Sequence, residues 1–531
     1  RNVAIGYNTL FYQNAGADAA NTAVGYHCGV AMTSGVSNTL LGANAGDAIT
    51  TGSYNTAVGQ HALSAEDAHG RNVAVGYAAL YVQNAGQDAY NIGIGHQAGF
   101  AITTGLYNTV VGGEALNTNV DGDKNTAIGF RALRMMEADT DGHGENTAVG
   151  ANAAENLTTA TGTTAIGKSA MGSGATTGNN NTAVGFTSGV FLTSGSHNTL
   201  VGAYSGDSLT TGANNILLGY DTGSALTDGD DNVAIGNHAL NAEDEHGRNV
   251  AIGHESLGTL NAGAHAYNTA VGYYSGGAIS TGMRNTIMGG LAGDALTTGS
   301  DNVAIGYGAL SAEDTGGKNV AVGRGALGTL DVGGDGYNVA LGYFSGLAMT
   351  TGNSNITMGY NSAYQLTTGA SNIVIGTNAM TAANGSESRN IAIGHGALQN
   401  MDTDGNNYNV AIGHNAGNDI TSGTENTLIG ALAGDELTEG GGNVAIGSSA
   451  LSSATTGASN IAIGKATMQS TTLADYNIAI GDNALKNLTQ GSLTHTHNVA
   501  VGKDAGQQIT TGVQNTLMGG VGVGDALTTG T

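Results

Sequence analysis

The chain has no proline and no tryptophan, and only six phenylalanines among its 531 residues. So few large aromatics leave no ordinary globular core to build. Cys28 stands alone, which excludes an intrachain disulfide framework. Lysine and arginine total 14 against 40 acidic residues, a net charge of −26. The cations are scattered along the sequence, so no phosphate-tracking surface and no nucleic-acid partner are expected. No stretch approaches the run of about 18–20 apolar residues that spans a membrane, and membrane insertion is not expected. What the chain has in excess is glycine, 91 residues. A glycine-rich chain of low charge density is either disordered or a repeat protein with glycine at fixed turns.

The pattern decides for a repeat. Asn, a β-branched residue, a small or apolar residue, an aliphatic and Gly recur thirty times, with Thr163 once in the Asn place, from NVAIG at 2–6 to NTLMG at 515–519. Most intervals equal the step from Asn21 to Asn38; the rest are slightly longer and none is shorter. The additions fall outside the motif, so the motif is a fixed wall and the remainder contains a tolerant loop. Short strands repeated identically with turns between them stack in register, about 4.8 Å apart. The fold class expected is all-β, a parallel β-solenoid (β-roll) of about thirty 17-residue coils. Residues 1–531 read as one continuous solenoid domain, about 140 Å long at that spacing. The repeat is already running at Arg1 and still running at Thr531, so a piece of a longer chain is expected. A helical repeat needs helix-period apolar spacing, and a helical hairpin hardly fits in so short a unit.

Each column has its own chemistry. Asn2, Asn21, Asn38 and Asn55 lead their units, and Gly6, Gly25, Gly42 and Gly59 close the strands. We expect the asparagines to form a structural ladder, with stacked amides bonding from coil to coil or capping the turn. The glycines supply positive φ or close backbone approach. Units with Gly or Ala in the ninth column carry Ile, Leu or Met in the twelfth, as in Gly46 with Ile49. Units with Leu63, Leu240 or Leu310 in the ninth carry Glu instead. One large aliphatic per coil fills a narrow core of nearly constant volume. The second, fourth and eighth columns are expected to line that core. The third column is then outward, yet it is Ala in 20 of 30 units and Leu, Val or Ile in most others. A solvent-facing strand position should be polar. This row (Ala4, Ala23, Leu40, Leu200, Leu428) is therefore expected to be a covered, self-association face. A parallel homotrimer is the first choice and filament packing the second; in a monomer, the chain's own loops would fold over the row.

Chemistry-bearing residues are few. Asp139, Asp141, Asp402 and Asp404 sit in DTDG turns that resemble parts of a calcium loop but lack its full spacing. They are candidates for weak Ca²⁺ binding; solvated turns are the plainer reading, and no other cofactor is indicated. SAEDAHGR (64–71), NAEDEHGR (241–248) and SAEDTGGK (311–318) recur as acidic loops within a longer period of four coils. Glu66, Asp67 and His69 form a local cluster, but no nucleophile accompanies them at fixed spacing. His495 and His497 lack a third ligand. No enzyme is expected. Fifteen of the twenty tyrosines fall in two columns, beside the Gly (Tyr7, Tyr77, Tyr343) or before the Asn (Tyr54, Tyr267, Tyr408). They either shield coil edges or stack on sugars and partner surfaces.

The strings NVAIG, NTAVG and NTAIG, each followed by a small residue and a Gly-containing turn, resemble the YadA-like head repeats of trimeric autotransporter adhesins. NTAVG…TTG arrays are similar to those of phage tail-fibre and other surface-fibre proteins. The resemblance covers essentially the whole chain and implies a left-handed parallel β-roll. It implies that Val3, Thr22 and Thr39, with Ile5, Val24 and Leu41, point into each subunit's core. It also implies an extracellular place on a cell or virion surface. The function expected is a structural fibre segment. The alternative is an adhesin or tail-fibre segment whose partner is a host-cell or carbohydrate surface.

Overall fold

The computed structural model describes residues 1–16, 18–137, 144–489 and 494–529. The chain is a parallel β-solenoid, and no described residue is helical. It comprises two compact units, Arg1–Tyr267 and Asn268–Thr531. Each carries fifteen three-residue motif strands, from Val3–Ile5 to Val250–Ile252 in the first and from Thr269–Val271 to Thr516–Met518 in the second. A further two-residue ladder pairs Ala474–Asp475 with Thr494–His495.

Register is held column to column: Thr22 pairs with Thr39, Ala23 with Leu40 and Val24 with Leu41. The longer units keep it. Ala74 still pairs with Gly93, Ala127 with Ala148 and Ala479 with Ala500. The insertions are absorbed in loops, so the wall is unbroken through them. The turns stack as well: Asn44 N–H donates to Tyr26 O at 2.9 Å and Leu63 N–H to Ala79 O at 3.0 Å.

The asparagines run up the inside of the wall. Asn38 N–H donates to Asn21 Oδ1 at 2.8 Å, and Asn55 N–H to Asn38 Oδ1 at 2.9 Å. Asn38 Nδ2 turns across the coil to Gly52 O at 2.9 Å. One amide therefore satisfies a strand amide in the next coil and a turn carbonyl in its own, which is why Asn, with a donor and an acceptor on one short side chain, holds this column.

The expected facing of the strand is reversed. The third column points inward: Ala23, Leu40, Leu200 and Leu428 are wholly buried. Ala4 holds the same register opposite Ala23 and is exposed only because its coil is the first. The second and fourth columns, including Val3, Thr22, Thr39, Ile5, Val24 and Leu41, are half-buried or exposed. The physical reason is width. Leu40 Cδ1 lies 2.8 Å from where a Cβ on Gly29 would be, and Leu40 Cδ2 lies 3.1 Å from one on Gly46. The core between the strand and the eighth-to-twelfth columns is a slot about one side chain deep. Alanine fits it; where leucine or isoleucine enters at Leu40, Leu200, Leu217, Ile287 or Leu428, the ninth column is glycine (Gly46, Gly206, Gly223, Gly293, Gly434). β-Branched residues are left to ladder along the outside, where neighbouring strands stack them on one another.

Candidate interaction surface

Side chains alternate across a strand, so the residue before the Asn and the second, fourth and sixth columns share the outer face. Two aliphatic or β-branched rows run up its middle. Leu41, Ile94, Ile216 and Leu218 in the first unit and Met288 in the second are each more than a third exposed. Aromatic and charged rows flank them, with Tyr54, Tyr107, Tyr307 and Tyr360 each about half exposed.

The flanking rows are organised from coil to coil. The Arg71 guanidinium lies between the rings of Tyr54 and Tyr90, 5.4 Å from each centroid, and pairs with Asp88 at 2.7 Å. Lys318 repeats this with Tyr337 and Asp335, at 5.2 and 2.6 Å. Arg248 donates to Tyr267 Oη at 2.6 Å. In the sixth column Tyr7 stacks on Tyr26 and Tyr343 on Tyr360, at 5.6 and 5.7 Å. The tyrosine rows thus shield coil edges while their outer rims stay in solvent.

The structure brings only part of the sequence-read chemistry together. Asp139 and Asp141 lie outside the described residues. Asp404 Oδ1 accepts the N–H and Oγ–H of Ser386, at 2.8 and 3.1 Å, and the backbone bond holds its carboxyl below the usual range. Asp402 joins no close group of three metal-ligating side chains among the described residues. Such groups form instead at Glu66–Asp67–His69, Glu243–Asp244–His246 and Glu313–Asp314–Asp331. The glutamates occupy the twelfth column and are wholly buried, taking the place of Ile49 or Leu209. Cys28 is buried too, and burial pushes its thiol up to about 11, which makes it an unreactive packing residue. The lysines are less scattered than the sequence implies. Lys465, Lys486 and Lys503, half of the six, line one cleft of about 390 Å³ with Asp482. No helix among the described residues is long and apolar enough to cross a membrane.

Glu313 gives a pH-dependent outcome. Its Oε1 accepts Gly316 N–H at 2.7 Å and its Oε2 accepts Val332 N–H at 3.4 Å. Burial, opposed by these bonds and reinforced by Asp331 and Asp314, pushes its carboxyl up to about 7. The folded value lies above the unfolded one, so the folded coil binds the proton more tightly. The contribution to stability is full below the unfolded value of about 4.3 and is lost as pH rises through 7. Amide protection at Gly316 and Val332, corrected for intrinsic exchange, is expected to fall from pH 5 to pH 8, and Glu313→Gln should flatten that fall. An identical pH profile in the variant would assign the effect to the general acidic charge instead.

Comparison with protein-family models and with curated proteins finds no match to this chain.

Proposed function

We propose that the chain is a structural segment of an extracellular or surface fibre that associates with copies of itself, in the first instance as a parallel homotrimer. The observation that carries this reading is the outer face of the motif sheet. In each unit fifteen strands at about 4.8 Å give a band of aliphatic and threonine side chains about 70 Å long and about 10 Å wide, roughly 700 Å². A monomer's largest apolar patch is about 300–600 Å², and one partner in a standard interface contributes about 800 Å². A face of this extent, regular to the residue, suits a second copy with the same repeat. The covering contact moves from the third column, which is core, to the second and fourth. Lateral or end-to-end filament packing is the alternative assembly.

The test is solution mass. The native chain is expected to sediment as a trimer, and lysine at Ile94, Ile128, Ile166, Leu218 and Met288 together should return it to monomer with its β-type circular dichroism intact. A native chain that stays monomeric at high micromolar concentration refutes self-association. The exposed tyrosine rims favour a second reading, a segment that binds a host-cell or carbohydrate surface. It predicts glycan retention by the native chain that is lost when Tyr307 and Tyr360 are replaced by alanine.

A further inference from the structure

The acidic loops at 64–71 and 241–248 differ from every other turn in one respect: a glutamate enters the core slot with a histidine three residues on. Glu66 and Glu243 are wholly buried. The ligand atoms of Glu66, Asp67 and His69 all lie within 4.8 Å of one another, and so do those of Glu243, Asp244 and His246. Backbone bonds hold the glutamates in place, with His69 N–H on Glu66 Oε1 at 3.1 Å and His246 N–H on Glu243 Oε1 at 3.2 Å. The remaining polar atoms are satisfied only in part: Glu66 Oε2 accepts from Asn72 Nδ2 at 3.4 Å. Glu243 Oε2, on a side chain with no exposure, has no hydrogen-bond partner, and neither do the buried Nδ1 atoms of His69 and His246. A buried polar atom left without a partner destabilises the fold, more so when charged. The two loops share Glu, Asp and His at the same spacing, and both leave the histidine Nδ1 buried without a partner.

The spacing fits an ion better than a hydrogen bond. His246 Nδ1 lies 3.7 Å from Glu243 Oε1, too far for a hydrogen bond. Bonds of about 2.0–2.2 Å from a tetrahedral zinc to nitrogen and oxygen put two ligands about 3.4 Å apart, a few tenths of an ångström closer than they stand. The local cations face elsewhere: Arg71 is held by Asp88 at 2.7 Å, and Arg248 by Tyr267 and Asp231 at 2.6 and 3.6 Å. Asp67 is exposed and Asp244 half-buried, which leaves a way in from solvent. We propose that each of these two loops binds one divalent transition-metal ion of the zinc class, through Glu66, Asp67 and His69 in one and Glu243, Asp244 and His246 in the other, with water completing the shell. The imidazole selects against Ca²⁺ and Mg²⁺, which take oxygen ligands. The loop at 311–318 is the internal control, because Gly316 stands where the histidine would be.

Equilibrium dialysis of the whole chelator-stripped chain against micromolar ZnCl₂ tests this. About two equivalents per chain are expected. His69→Gln and His246→Gln should each remove one, and the double variant should lose both or bind about tenfold or more weakly. Circular dichroism confirms that the variants keep the fold, and His495→Gln, a histidine outside both loops, should change nothing. Uptake below two equivalents by the folded native chain overturns the proposal, as does uptake that the double variant leaves unchanged.

Discussion

Replacing Gly42 with alanine is expected to destabilise the coils around it by about 2–6 kcal/mol, the sum of a strained backbone at about 1–3 and overpacking at about 1–3. Gly42 sits at φ +143°, where L side chains rarely go, and an added Cβ would lie 2.5 Å from Gly59 O and 2.6 Å from Gly59 C. The obstacle is the backbone of the next coil, so no side-chain rotation relieves it. Lifting one coil off the other would stretch the ladder bonds between them, Thr39 N–H to Asn55 O at 2.9 Å and Gly59 N–H to Leu41 O at 2.7 Å. Each repeat contacts mainly its neighbours, so the damage should stay local. Hydrogen exchange should rise in the coils from about residue 21 to 75 and return to the native rate beyond them. Gly86→Ala is the control: φ is +71°, but nothing lies within 4 Å of the added Cβ, and a loss of only about 1 kcal/mol is expected. Equal losses at the two sites would show that close approach of coils does not dictate the fifth column.

The solenoid was legible because its constraints are periodic. The invariant Gly25, Gly42 and Gly59 follow from close stacking of the coils: a Cβ added at any of them would lie 2.3–2.5 Å from the next coil's carbonyl oxygen. Register survives the longest units because the extra residues never enter the motif. The facing was misread for a reason the sequence also carries. Period-two alternation tells which residues share a face but not which face is inside, and the bulk of Val24 and Leu41 weighed toward the core. The informative signal was volume coupling: a leucine at Leu40, Leu200 or Leu428 always meets glycine at Gly46, Gly206 or Gly434. Two positions that trade volume face each other across a core. The same parity places Tyr54, Thr56, Val58 and Gln60 on one outer face, so the interaction surface follows once the inside is known. The metal-ligating groups were legible only as a recurring acidic cluster. That Glu66 and Glu243 turn into the slot, while Asp404 is consumed by its own turn, depends on side-chain directions that spacing does not encode.

The asparagine column makes the second large prediction. Asn198 is almost wholly buried. Its Nδ2 donates to Asn181 Oδ1 at 3.1 Å and to Gly212 O at 2.8 Å, and its Oδ1 accepts from Asn215 N–H at 3.0 Å and Asn215 Nδ2 at 3.1 Å. Alanine removes all four bonds. Asn215 Nδ2 keeps its bond to Gly229 O at 2.8 Å, but the Asn215 N–H is left buried without that acceptor. An orphaned group costs about 1–3 kcal/mol and each of the three other lost bonds about 1, so a loss of about 4–6 kcal/mol is expected. The chain itself contains a converse case. Thr163 stands where every other unit has Asn, and its Oγ1 is buried with no hydrogen-bond partner. Its own N–H still donates to Asn146 Oδ1 at 2.9 Å, so the ladder reaches this coil and lacks a side chain long enough to pass it on. Thr163→Asn is therefore expected to stabilise the coils around it by about 1–2 kcal/mol. Local exchange rates from 147 to 184 should slow in that variant and rise from 182 to 218 in Asn198→Ala. If Thr163→Asn leaves exchange unchanged while Asn198→Ala raises it, the column works by packing alone and the amide ladder contributes nothing of its own.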